Sequence, residues 1–174
     1  MRQLLLMRHA KSSWNDTSMP DKDRPLNARG REAAARMQRV VQELGLGPDL
    51  ILVSTARRTL ETMEALEPWD ATPLVEPMDV LYLASPAQIL NALHAVPETV
   101  RSVMVIGHNP GMHDLALALA SGSARTTSAA HRLHDGFPTA ALAEFLIPGP
   151  WWQIGEGGGQ LVRFLTPKSV GAGS

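Results

Sequence analysis

The sequence predicts a three-layer α/β/α domain on a mostly parallel sheet that carries an antiparallel edge strand. Three observations support this. Residues 4–7, 50–53 and 103–106 are short unbroken apolar runs, the pattern of strands buried on both faces. The segments between them space their apolar residues as amphipathic helices do. Buried strands alternating with such helices build parallel sheets through crossover connections.

Leu4-Leu5-Leu6-Met7 forms the first strand. Ala34, Met37, Val40, Val41 and Leu44 then share one face of a helix ending near Gly45. Asn27 suits its N-cap, but Gly30 stands three residues on, so no capping box is expected. After the second strand, Leu60, Met63 and Leu66 mark a helix stopped by Pro68. Ile89, Leu90, Leu93 and Val96 mark a third, entered through Ser85-Pro86 and ended by Pro97. The strand at 103–106 runs into Gly107, and Met112, Leu115, Ala116 and Leu119 mark a fourth helix. Beyond Gly122 the alternation weakens. Residues 140–147 and 160–166 read as two more strands, pairing antiparallel at a sheet edge across a turn-rich stretch with Trp151 and Trp152. The Trp pair reads as edge-strand packing. Residues 1–167 are expected to form one domain and 168–174 a flexible tail.

The 174 residues are 44% hydrophobic and 19% charged, which excludes a disordered chain. The net charge of −1 excludes a nucleic-acid binder driven by bulk charge. Residues 1–40 nevertheless carry +5 and the remainder −6, which directs attention to an anion site near the N-terminus. Without cysteine there is no disulfide, thiolate zinc site, iron–sulfur cluster or thiol nucleophile. No apolar run approaches the roughly 20 residues of a membrane helix. The opening apolar stretch is broken at Arg8, a poor signal peptide. A soluble cytoplasmic enzyme or binding domain, with no nucleic-acid or membrane partner, is the expectation.

A polar cluster follows each of the three clearest strands. They are Arg8-His9-Ala10-Lys11-Ser12-Ser13-Trp14-Asn15, Ser54-Thr55-Ala56-Arg57-Arg58-Thr59 and Gly107-His108-Asn109-Pro110-Gly111. In a parallel sheet all three meet at the carboxyl edge, where open α/β folds bind ligands. Arginine forks match phosphate oxygens two at a time, and helix N-termini after Arg57 and Pro110 add backbone donors. A histidine beside arginines stays neutral and nucleophilic. The sum is a phosphate pocket containing a nitrogen nucleophile.

Plainer readings apply elsewhere. One of Arg57 and Arg58 suits a solvated helix face. His94, His113, His131 and His134 read as surface or local structural residues. His131 and His134 with Asp135 only sketch a metal site. Gly155-Glu156-Gly157-Gly158-Gly159 follows no strand and lacks Lys-Ser/Thr, so it reads as a flexible turn.

Arg8-His9-Ala10-Lys11-Ser12 with Asn15 resembles the RHG-x-S-x-x-N signature of the histidine phosphatase superfamily, which includes the phosphoglycerate mutases. Residues 54–62 are similar to its S-P-x-x-R-A-x-x-T element, with Arg58 as the matching arginine and Arg57 at a variable position. Residues 107–111 resemble the segment bearing the second histidine. Residues 23–30 and Phe137-Pro138-Thr139 look like the short bacterial phosphohistidine phosphatase branch. The resemblance spans residues 2–165 and implies a phosphoglycerate mutase-like fold.

The resemblance implies that His9 attacks phosphorus and becomes a phosphohistidine. It implies that Arg8, Arg58 and His108 hold the transferring oxygens, and that Asn15 adds a substrate hydrogen bond. Water then releases phosphate with neither metal nor cofactor. Two departures stand out. Ala10 replaces the glycine of RHG, which is tolerable unless φ there is positive. The acidic segment that supplies a general acid in larger relatives reads Glu76-Pro77-Met78-Asp79 here. Asp79 is the candidate acid, and it equally suits a capping or solvent-facing role. The expected function is a phosphatase acting on a phosphohistidine-bearing partner protein or a small phosphate ester. A metal-dependent hydrolase and a non-catalytic phosphate-binding module are the alternatives.

Overall fold

The computed structural model describes residues 1–122 and 127–171. Six strands form one sheet: β1 (Arg2–Arg8), β2 (Leu50–Ser54), β3 (Leu74–Met78), β4 (Ser102–Gly107), β5 (Leu142–Ile147) and β6 (Gln160–Leu165). The helices are α1 (Ala28–Glu43), α2 (Arg57–Ala65), α3 (Pro86–His94), α4 (Gly111–Ala120), α5 (Ser128–Asp135) and α6 (Pro167–Gly171). Strand order is β3-β2-β4-β1-β5-β6, with β1, β2, β3 and β4 mutually parallel. The reversed strand is β5, antiparallel to both β1 and β6, so it lies one in from the edge. The two C-terminal strands do pair antiparallel at that edge, as their sequence predicts.

The apolar runs are continuous because each strand feeds two cores, successive side chains pointing to opposite faces. Leu4 and Leu6 of β1 join Leu52, Val103 and Val105 beneath α3, α4 and α5. Leu5 and Met7 join Ile51, Val53, Met104 and Ile106 beneath α1 and α2. The result is three layers.

Asn27 caps α1 by accepting from the Gly30 amide at 2.8 Å. Ser85 and Gln88 form a capping box at the start of α3, which its sequence allows but the apolar spacing does not reveal. Strand β3 escapes the hydrophobic pattern because it is an exposed edge. It presents Leu74 at 73% exposure and places Pro77 where no central strand tolerates it. Where a loose tail is expected from residue 168, the chain instead forms α6, and its Val170 packs on the α1–α2 core. Residues 172–174 of that tail lie outside the described residues. Trp151 is buried and donates its indole N–H to the Val100 carbonyl at 2.7 Å, while Trp152 is exposed. No helix among the described residues is long and apolar enough to cross a membrane.

Candidate active site

Strand register brings the first and third clusters together. Arg8 pairs with Gly107 at the carboxyl ends of β1 and β4, so the next residues, His9 and His108, emerge side by side. Their ring centroids lie 5.3 Å apart. Strand β2 ends beside β4 and turns into α2, whose first turn carries Arg58. Gly30 locks the loop after β1 in place: a Cβ there would stand 2.0 Å from the Lys11 carbonyl oxygen, so α1 packs backbone to backbone against the loop. Ala10 is buried, and it is not among the residues with positive φ, so the change from glycine is absorbed. Its amide donates to Thr62 Oγ1 at 2.9 Å, which ties the loop to α2.

These elements surround a cleft of about 540 Å³. Arg8, His9, Arg58 and His108 line it, joined by Lys11, Trp14, Asp21, Arg24, Asn109 and Thr139. Among the described lining residues Asp21 is the one carboxylate, so the cleft is cationic and suits a multiply charged anion. Arg8 Nη1 and Asn109 Nδ2 both donate to the Phe137 carbonyl, at 3.1 and 2.8 Å, which makes the Phe137-Pro138-Thr139 segment one wall. Nε of Arg8 and of Arg58 are buried without a protein acceptor.

The tautomers of both histidines follow from their partners. His9 Nδ1 lies 2.7 Å from the Ala10 carbonyl oxygen, which only accepts, so the proton sits on Nδ1 and Nε2 keeps its lone pair. Arg58 Nη2 only donates, and it lies 3.4 Å from His108 Nδ1. His108 Nε2 therefore carries the proton and donates to Ser54 Oγ at 2.8 Å. Burial, reinforced by the Arg58 and Arg8 charges against the bond to Ala10, pushes His9 down to about 4. Burial, then His9 and Arg58, push His108 down to about 3. Both rings are neutral at pH 7.

Arg58 is 2% exposed and bound twice by Asp21, through the main-chain oxygen at 2.8 Å and Oδ2 at 3.1 Å. Arg24 donates to Asp21 Oδ1 at 3.0 Å, and the Tyr82 hydroxyl donates to Oδ2. Burial opposes ionisation of Asp21, but the bonds from Tyr82 and Arg24 and the nearby Arg58 charge outweigh it and hold the carboxyl at about 2.

Two predicted residues stay outside the cleft lining. Asn15 is exposed, and its main-chain N–H donates to Ser13 Oγ at 3.2 Å. Asp79 is exposed, accepts from Thr55 Oγ1 at 2.6 Å and pairs with Lys22 at 3.3 Å. The Thr55 bond and then Lys22 lower its pKa, so it carries no proton to donate near neutrality. Asp21 has no signature of its own, and Arg24 falls within the resembling segment 23–30 without a role assigned to it there; a short 3₁₀ turn far from any strand end delivers both. Arg57 pairs with Glu61 on the solvated face. His94 and His113 bond the main-chain carbonyls of Ile154 and Leu133, each at 2.7 Å, as structural histidines do. No group of three or more His, Asp or Glu able to hold a metal occurs among the described residues, so His131, His134 and Asp135 make none.

The sequence model of the Histidine phosphatase superfamily (branch 1) matches residues 4–77. An uncharacterized protein of Mycobacterium tuberculosis is 33% identical, over 93% of this chain and 100% of that protein. A candidate phosphohistidine phosphatase SixA from Agrobacterium tumefaciens superposes with a TM-score of 0.79 at 30% identity, covering 95% of this chain and 98% of that one. A second candidate SixA, from Nakamurella, superposes with a TM-score of 0.83 at 27% identity, covering 95% and 96%. With its paired histidines and arginines at one sheet edge, the chain belongs to the histidine phosphatase superfamily, in its SixA-like branch.

Proposed function

We propose that the chain is a phosphatase that works through a phosphohistidine at His9 and acts on phosphohistidine carried by a partner protein. The observation that carries this reading is the His9 ring. Its Nδ1–H is committed to the Ala10 carbonyl, and Nε2 remains unprotonated in an arginine-lined cleft.

In the first step Nε2 attacks phosphorus in line, and the bond from phosphorus to the leaving atom breaks, its electron pair departing with that atom. Arg8 and Arg58 stabilise the equatorial oxygens, Arg24 of the same cleft adds charge, and the neutral His108, its Nε2–H given to Ser54, orients Arg58 through Nδ1. In the second step water attacks phosphorus. The bond to His9 breaks, inorganic phosphate leaves, and the water proton passes to solvent.

The acid–base inventory favours a nitrogen leaving group. The cleft's one carboxylate, Asp21, is ionised down to about pH 2, and Asp79 is ionised outside the cleft. Alkoxide leaving groups need a proton donor. The imidazole of a phosphohistidine takes its proton from solvent on the distal ring nitrogen and departs neutral. The reading therefore excludes efficient hydrolysis of alkyl phosphates. The arginine-rich, carboxylate-poor lining also disfavours the metal-dependent alternative, because it repels a cation.

The test is intact mass after an acid-free quench, with a phosphohistidine protein as donor and chelator present. A single phosphoryl adduct on the wild type, absent from His9→Ala, is expected. Phosphate release without an adduct and abolished by chelator would replace this reading with the metal-dependent one.

A further inference from the structure

Two large apolar side chains stand at the mouth of this cationic cleft, and phosphate binding explains neither. Trp14 is 72% exposed yet lines the cleft. Its ring is held from one side by the Arg24 guanidinium, whose Cζ lies 3.6 Å from the ring centroid. Arg24 is itself fixed by Asp21, by Ser12 Oγ and by the Ser13 carbonyl, and is only 7% exposed. The indole is thus pinned on one face. Leu83 lines the same cleft at 55% exposure and adopts φ +50. That left-handed backbone is unfavourable for any residue with a branched side chain. A glycine would relieve it, so what keeps leucine there is its side chain.

In-line transfer fixes what these residues meet. The nucleophile is the buried His9, so the leaving group departs on the opposite side of phosphorus, toward the mouth. An indole held flat presents its free face to another ring by offset or edge-on contact, and to a protonated ring by cation–π attraction. We propose that Trp14, pinned by Arg24, forms with Leu83 a leaving-group subsite for a planar aromatic ring, the imidazole of a phosphohistidine. The subsite rests on the phosphatase reading above and names the residues that receive the ring which that reading calls for.

The test compares kcat/KM for phosphoimidazole, phenyl phosphate and phosphoramidate, the last offering a P–N bond without a ring, in the wild type, Trp14→Ala, Trp14→Phe and Leu83→Ala. Trp14→Ala is expected to lower the phosphoimidazole-to-phosphoramidate ratio about tenfold, the size of an aromatic contact. Trp14→Phe should largely restore the ratio, and Leu83→Ala should lower it by a smaller factor. With an active wild type, an unchanged ratio in Trp14→Ala overturns the subsite, leaving Trp14 only a support for Arg24. A drop confined to phenyl phosphate overturns the imidazole assignment. A wild type inactive on all three donors instead removes the phosphatase reading itself. The exposure of Trp14 makes its variants safe for folding, which a melting curve beside the wild type checks.

Discussion

Asp21 holds Arg58 from two sides at once, its main-chain oxygen taking Nη1 at 2.8 Å and its carboxylate taking Nη2 at 3.1 Å. The same carboxylate receives Arg24 and Tyr82, so one residue orients two cations of the cleft. With its carboxyl held at about 2, Asp21 orients them as an anion and has no proton to give. Asp21→Ala should therefore lower kcat/KM by about 10- to 100-fold, the scale of a misplaced catalytic group. The loss should be equal for good and poor leaving groups, which steady-state kinetics across substituted aryl phosphates measures. A loss that steepens with leaving-group basicity would identify Asp21 as an acid instead.

The paired histidines predict a titration well away from ordinary imidazole. NMR titration of the ring protons should find His9 near 4 and His108 near 3, against an ordinary 6.5. The stability consequence has a definite sign. Between pH 6.5 and about 4 the unfolded chain takes up protons on these residues and the fold does not. Stability from them is therefore full above 6.5 and declines as pH falls through that window. Urea unfolding at pH 7 and pH 5 should show a lower midpoint at pH 5, and His9→Gln should shrink the difference.

What the sequence reveals and what it hides have separate physical causes. Strands β1, β2 and β4 are legible because burial on both faces makes them continuous apolar runs. Their carboxyl ends then bring His9, His108 and Arg58 together by register alone. Strand β3 is hidden because an exposed edge strand needs no apolar pattern. Asp21 is hidden because what matters about it is contact across more than 30 residues of chain, to Arg58, and Arg24 stands in a legible segment whose pattern says nothing of its bond to Asp21 or its stack on Trp14. Asn15 and Asp79 are legible only as a motif position and a member of an acidic segment, and what the pattern does not tell is that the backbone leaves both exposed and outside the cleft lining.

Ser54 is the acceptor for the second histidine. It is wholly buried and accepts the His108 Nε2 proton at 2.8 Å, which leaves Nδ1 facing Arg58. Ser54→Ala strands that donor and should destabilise the fold by about 1–3 kcal/mol. The more telling readout is the ring itself. Arg58 still donates toward Nδ1 in this variant, so nitrogen chemical shifts should keep His108 as the Nε2–H tautomer with its Nε2 resonance moved by the lost acceptor, and conversion to Nδ1–H would mean that Ser54 rather than Arg58 sets the tautomer.

Gly30 sets two effects against each other. Alanine favours a helix interior over glycine by about 1 kcal/mol, so on propensity Gly30→Ala stabilises α1. A Cβ at this position, however, would stand 2.0 Å from the Lys11 oxygen and 2.9 Å from its nitrogen and carbonyl carbon, all of them backbone atoms that cannot rotate aside. Relief requires α1 and the loop after β1 to separate, and that loop carries His9. Overpacking of this kind costs about 1–3 kcal/mol or more, which exceeds the propensity gain. Gly30→Ala should therefore lower both the melting temperature and the rate of phosphoenzyme formation. The same substitution at Gly47, where a Cβ meets nothing within 4 Å, should leave the rate unchanged. Equal rates for the Gly30 and Gly47 variants would mean that the packing of α1 against the loop plays no part in positioning His9.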